Sequence, residues 1–135
     1  MRAMNKLLLI SAAALFTSCA MAQPAAVTTS SGLVYQSLTE GSGTSPSPLD
    51  IVRVRYRGTF MDGREFDASG AEPAEFPLNR VIKCWTEGVQ MMKPGGKARL
   101  TCPPAIAYGE KGAGGVIPPN ATLMFDVELL SVKKQ

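Results

Sequence analysis

Between residues 51 and 58 the chain reads IVRVRYRG, with Val52, Val54 and Tyr56 alternating against Arg53, Arg55 and Arg57. A period of two marks a half-buried strand, so Tyr56 is expected to point inward while the arginines form the wet face. Asp62-Gly63 follows, the dipeptide most favoured in two-residue hairpin loops, which predicts that residues 59–61 fold back on residues 64–66. Farther on, Val81, Trp85, Val89 and Met92 recur at spacings of four, four and three before Lys93-Pro94-Gly95-Gly96 stops the run. One short amphipathic helix is expected there, with Asn79 as its candidate cap. Two more strands follow by alternation. One runs from Lys97 to Cys102 with Ala98, Leu100 and Cys102 inward, and the other from Thr122 to Val132 with Leu123, Phe125, Val127 and Leu129 inward. A further segment, Leu33 to Leu38, precedes the polar loop GSGTSPSP, and residues 68–77 read as an irregular connection. One helix among antiparallel strands predicts an α+β fold in which the helix covers the apolar face of the sheet.

The N-terminus departs from this pattern. Arg2 and Lys6 precede an apolar run from Leu7 to Phe16, and Ala20-Met21-Ala22 supplies a small-x-small cleavage site. Residues 1–22 therefore read as a secretory signal peptide, cleaved after Ala22 to leave a periplasmic or secreted protein. The run is too short for a membrane span, so no stable membrane insertion is expected. Cys19 offers a lipoprotein reading, but Phe16 fits a lipidation site poorly. Residues 23–32 are rich in Ala, Thr, Ser and Pro and read as a short disordered tail, which leaves 33–135 as one domain.

The chain has 135 residues, with 14 basic and 11 acidic side chains. Loss of Arg2 and Lys6 with the signal peptide brings the net charge to about +1, which removes the main support for a nucleic-acid role. Histidine is absent. Ser-His and Cys-His machinery is thereby excluded, and no metal site or cofactor is expected. Cys84 and Cys102 are an even pair in an exported chain, which suggests a disulfide. The glycine-rich stretch AYGEKGAGGVIPP, residues 107–119, raises the question of a phosphate loop. Gly109 and Gly114 have P-loop spacing, but Gly115 and Val116 stand where a lysine and a hydroxyl are needed. Gly112 and Gly114 begin a dinucleotide pattern that ends in Ile117. What remains is a turn running into a stiffened apolar rim.

Read in order, VRVRYRGTFMDGREFDAS, FPLNRVIKCWTEGVQMMKPGGKARL and PPAIAYGEKGAGGVIPPNATLMFDVELLSV resemble the FKBP-type peptidyl-prolyl cis-trans isomerases, over roughly residues 33–133. The resemblance implies a curved antiparallel β-sheet wrapped around one short α-helix, with an apolar active site between them. Carried over by position, it implies that Tyr56, Phe66, Asp67 and Tyr108 serve catalysis and that Val81, Ile82, Trp85, Ile117 and Phe125 bind substrate. It also implies proline-containing unfolded or nascent exported polypeptides as partners, with rapamycin-type macrolides as further ligands. A monomer is expected, since no long N-terminal helical segment of the kind that dimerises some relatives is present. By periodicity alone Val81, Trp85 and Phe125 read equally as core, and Tyr56 and Phe66 as strand packing. Asp67 reads either as a turn cap or as a carboxylate with a specific partner. In the implied fold the helix start lies over the sheet, where Cys84 and Cys102 can meet. Two departures stand out: Cys84 occupies a position where glycine is usual, and Ala74 lies near where an aromatic pocket residue stands in eukaryotic members. Macrolide affinity and substrate preference are therefore left open.

Overall fold

The computed structural model describes residues 25–135. The expected signal segment, Cys19 and the cleavage position after Ala22 lie outside the described residues. The strands are β1 (Val27–Thr28), β2 (Val34–Thr39), β3 (Ile51–Phe60), β4 (Glu65–Ala68), β5 (Ala74–Pro77), β6 (Lys97–Cys102) and β7 (Leu123–Lys133). Helix α1 spans Lys83–Val89, and single 3-10 turns occupy Leu78–Arg80 and Pro104–Ile106. All pairings are antiparallel, in the order β1-β2-β6-β7-β3-β4, with β5 also on β3. β7 runs beside the whole of β3, while β4 and β5 divide its other edge, opposite residues 57–59 and 51–54 respectively. The α+β architecture expected from the hydrophobic pattern is the one observed.

The inward residues of the three long strands meet α1 in one core. Val52, Val54, Ala98, Leu100, Cys102, Leu123, Val127 and Leu129 are buried from the sheet side, and Cys84, Trp85, Val89 and Met92 from the helix side. Contact is close at Gly88, where an added Cβ would stand 2.8 Å from Leu100 Cδ2. Any larger residue there would have to displace the buried Leu100 side chain. Cys84 at the helix start and Cys102 at the end of β6 are joined as a disulfide, S–S 2.00 Å and Cα–Cα 5.8 Å. Bridging positions separated by 18 residues stabilises the fold by roughly 3 kcal/mol on the chain-entropy account.

Four local features differ from the sequence-based expectation. The hairpin loop has three residues: the Phe60 N–H donates to the Arg64 carbonyl and the Gly63 N–H to the Phe60 carbonyl, with Gly63 at φ 93°. This is a type I turn closed by a glycine in the left-handed region, and it places Met61 in the turn. Asn79 does not cap α1. It lies inside the 3-10 turn, after which Val81 and Ile82 are extended (ψ 178° and 152°), so the helix begins at Lys83. The Thr86 hydroxyl donates to the Leu78 carbonyl at 2.7 Å, and the Leu78 N–H donates to the Asp50 carbonyl at 2.9 Å, fixing the turn as a separate element. The connection 68–77 is not wholly irregular, because β5 pairs Ala74 with Val54 and Phe76 with Val52. Part of the 23–32 stretch is also held in place: Val27 and Thr28 pair with Tyr35 and Val34, and the Ser31 hydroxyl donates to Glu87 on α1.

Candidate functional site

The extended residues ahead of α1 set the site. Because the chain leaves the 3-10 turn extended, Val81 and Ile82 reach the surface while Trp85, in the first turn of the helix, is drawn beneath them. Trp85 is only 4% exposed. Its ring meets Tyr56, Phe76 and Phe125 edge-on, at centroid distances of 5.1, 5.7 and 5.5 Å and interplanar angles of 86°, 90° and 90°. Such edge-to-face contacts place positive ring edges against negative ring faces and lock the cluster in one arrangement. Above it opens a pocket of about 440 Å³ lined by Tyr56, Asp67, Phe76, Arg80, Val81, Ile82, Trp85, Tyr108 and Phe125.

Seven of the sequence-predicted residues line this pocket: Tyr56, Asp67, Val81, Ile82, Trp85, Tyr108 and Phe125. Phe66 and Ile117 do not. They line an adjoining hollow of about 410 Å³ with Val116, and Asp67 and Tyr108 border both spaces. Gly58 explains why Phe66 lies aside: a Cβ there would stand 2.8 Å from both Phe66 and Phe125, so glycine makes room for their edge-on contact at 5.6 Å. Sequence reasoning missed Phe76 and Arg80. The signal for Phe76 was the Ala74-x-Phe76 spacing, which puts both residues opposite the inward Val54 and Val52. Phe76 supplies an aromatic wall where Ala74 suggested that one was lacking.

Polar groups border an otherwise apolar space. The Tyr56 hydroxyl donates to Asp67 Oδ2 at 2.9 Å, and the Ala68 N–H donates to Asp67 Oδ1 at 2.9 Å. Burial, then the hydrogen bond to Asp67, pushes the Tyr56 pKa up to about 12. Burial and the nearby Asp67 charge likewise raise that of Tyr108. Both phenols therefore stay protonated donors throughout the physiological range. The Ile82 N–H hydrogen-bonds to nothing among the described residues. Trp85 Nε1 is buried without a hydrogen-bond partner among them. No group of His, Cys, Asp or Glu among the described residues is arranged to hold a metal. The arrangement can bind an apolar ring, exclude water from it and orient adjacent carbonyls.

The glycine-rich stretch is a hydrogen-bonded rim. Ala113 and Ile117 bridge through reciprocal N–H to carbonyl bonds of 2.9 Å, the Gly112 N–H donates to the Tyr108 carbonyl, and the Asn120 N–H donates to the Gly109 carbonyl. Gly112 sits at φ 65° with its Cα facing the Ile117 carbonyl, where a Cβ would approach to 2.1 Å. Its glycine serves close backbone approach. A larger hollow of about 510 Å³ lies on the outer face of the sheet, bordered by Arg55, Arg57, Lys97, Asp126 and Glu128. Its lining mixes opposite charges and has Tyr56 as its one aromatic residue, against five in the smaller pocket, which is therefore the candidate site.

A family model described as "FKBP-type peptidyl-prolyl cis-trans isomerase" matches residues 42–130. Similar curated proteins include the FKBP-type peptidyl-prolyl cis-trans isomerase FkpA of Aeromonas hydrophila, 55% identical over 108 residues, which cover 78% of this chain and 40% of the relative. The peptidyl-prolyl cis-trans isomerase Mip of Coxiella burnetii is 47% identical over 115 residues, 84% of this chain and 50% of that protein. Among solved structures, FkpA from Escherichia coli superposes with a TM-score of 0.78 at 51% identity, covering 81% of this chain and 52% of that one. A Pseudomonas syringae isomerase gives 0.78 at 40% identity and covers 84% of both chains. This chain thus spans less than half of the length of the FkpA relative from Aeromonas.

Proposed function

The chain belongs to the FKBP-type peptidyl-prolyl cis-trans isomerase family, and on that premise we propose that it accelerates X-Pro bond rotation by holding proline in the pocket above Trp85. Edge-on closure of Trp85 by Tyr56, Phe76 and Phe125 carries this reading, because it makes a flat, dry floor the width of a small ring.

X-Pro rotation faces a barrier of roughly 18 to 20 kcal/mol, set by resonance across the C–N bond. No bond breaks. The planar amide is more polar than the twisted one, so a site that strips water from its carbonyl favours the twisted state, and each ~1.4 kcal/mol gained is about tenfold in rate. Trp85 lies under the proline ring, and Tyr56, Phe76 and Phe125 wall it. The Ile82 N–H and the Tyr108 hydroxyl hold substrate carbonyls. Asp67 orients Tyr56 through the 2.9 Å bond and presents its carboxylate beside the rotating amide without transferring a proton. Phe66 and Ile117 guide the flanking chain along the adjoining hollow.

The substrates are unfolded or nascent exported polypeptides, and the protein acts in the periplasm or outside the cell. The N-terminal signal pattern and the disulfide, which belongs to oxidising compartments, support that location. Among the described residues no helix is long and apolar enough to cross a membrane. A second reading, a chaperone that holds chains without turnover, is favoured by the apolar rim at Val116, which is 55% exposed. The deciding experiment is proline-peptide isomerisation by the chain from Gln23 onward, with and without rapamycin. Turnover inhibited by rapamycin is expected. Suppression of aggregation without any turnover would overturn the isomerase in favour of the chaperone.

A further inference from the structure

The two lips of the pocket differ in charge. On the loop side stand Tyr108 and, across the adjoining hollow, Val116 and Ile117. On the side of the 3-10 turn stands Arg80, which is exposed and lines the pocket. Its guanidinium forms no ion pair and no hydrogen bond among the described residues, whereas Arg53, Arg57, Arg64 and Arg99 each have a carboxylate within 4.0 Å; Arg55 is also unpaired among them but does not line this pocket. The one carboxylate that lines the pocket, Asp67, accepts from the Tyr56 hydroxyl and the Ala68 N–H and forms no ion pair with Arg80 within 4.0 Å. Lys83, three residues on, is also exposed and free of ion pairs among the described residues.

From this geometry we infer that Arg80 is a specificity-determining residue that favours substrates carrying a carboxylate within two residues of the proline. The inference rests on the isomerase reading of the pocket. A planar guanidinium with five donors and no internal partner is suited to a carboxylate, and pairing at the lip of an apolar pocket needs no desolvation of the charge beyond what the bound chain imposes. Because the site is open, the preference is modest and falls with salt.

The test uses short proline peptides in matched pairs, with Glu or Gln at each of the two positions on either side of proline, assayed by NMR exchange so that no coupling protease intervenes. At low ionic strength kcat/KM for one Glu peptide should exceed that for its Gln partner by about threefold. The gap should close at about 0.5 M NaCl, vanish in Arg80→Gln, and reverse in Arg80→Glu. The readout is the Glu-to-Gln ratio within each pair, measured for wild type and each variant, so any change in overall turnover common to both peptides cancels. Equal rates for all pairs in wild type, or a preference that survives Arg80→Glu, would overturn the inference while leaving the isomerase intact. Should no peptide be isomerised, the isomerase reading fails by itself, and binding of the same pairs, followed by the fluorescence of the single tryptophan, decides the charge preference. Equal affinities would then overturn it.

Discussion

An aspartate stands at each end of β3, and the two are treated in opposite ways. Asp50, just before the strand, is 2% exposed. Its Oδ2 accepts from the Ser47 N–H at 2.8 Å and from Lys134 Nζ at 2.9 Å, and its Oδ1 accepts from the Gln135 N–H at 3.2 Å. Asp67, opposite Gly58 near the other end, is exposed and accepts only from Tyr56 and from its neighbour Ala68. One carboxylate is buried and accepts three bonds from the protein, so it holds chain segments together and is closed to any outside partner. The other keeps acceptor capacity facing a pocket. The same residue type is thus placed for stability where it is buried among donors and, on the proposed reading, for function where it stays exposed to a visitor.

The largest effect should come where this division fails, at Trp85, which is both core and pocket floor. Trp85→Ala should cost roughly 3 kcal/mol or more of stability and remove most turnover, measured by thermal unfolding beside the isomerisation assay. If stability fell while turnover stayed at the wild-type level, the floor assignment would be wrong.

Asp50→Asn sharpens the stability half. The Ser47 N–H, then Lys134, holds the Asp50 carboxyl down to a pKa of about 2. A carboxyl with a lower pKa folded than unfolded stabilises the fold above its unfolded value, about 3.9, and that contribution disappears as pH falls toward 2. Wild type should therefore lose stability between about pH 4 and 2. The variant should be less stable at neutral pH, show a flatter acid limb, and turn over peptide normally once folded. Urea unfolding as a function of pH reads this directly.

Asp67→Ala should show the mirror image. Turnover should fall about tenfold, equivalent to ~1.4 kcal/mol, while the unfolding midpoint moves by no more than about 2 °C. A variant that unfolds much earlier yet turns over normally would make Asp67 a second Asp50. The smallest change is Tyr108→Phe, which deletes one hydroxyl at the lip and should weaken substrate binding by about 1 kcal/mol, seen in KM, with folding unchanged. An unaltered KM would remove Tyr108 from carbonyl binding and leave it as packing for the rim.

Local alternation was enough to place the three long strands and the face of the helix. Alternation at 51–58, 97–102 and 122–132 and the Val81–Trp85–Val89–Met92 spacing are local consequences of burying one face. The pairing of Cys84 with Cys102 followed from count and compartment, and the failure of the phosphate patterns from spacing alone. Tertiary structure decided what depends on partners distant in the chain. β5 exists because Ala74–Pro77 is claimed by the free edge of β3; the Ala74-x-Phe76 alternation is too short to announce a strand without that edge. The helix start moved to Lys83 because Asp50 and Thr86 tie down Leu78 from two sides. Gly58 put Phe66 against Phe125, so residues expected in one pocket were divided between two hollows. Phe76 became a wall and Arg80 a free charge at the lip for the same reason: periodicity tells which way a side chain points, but only the packed chain tells what it points at.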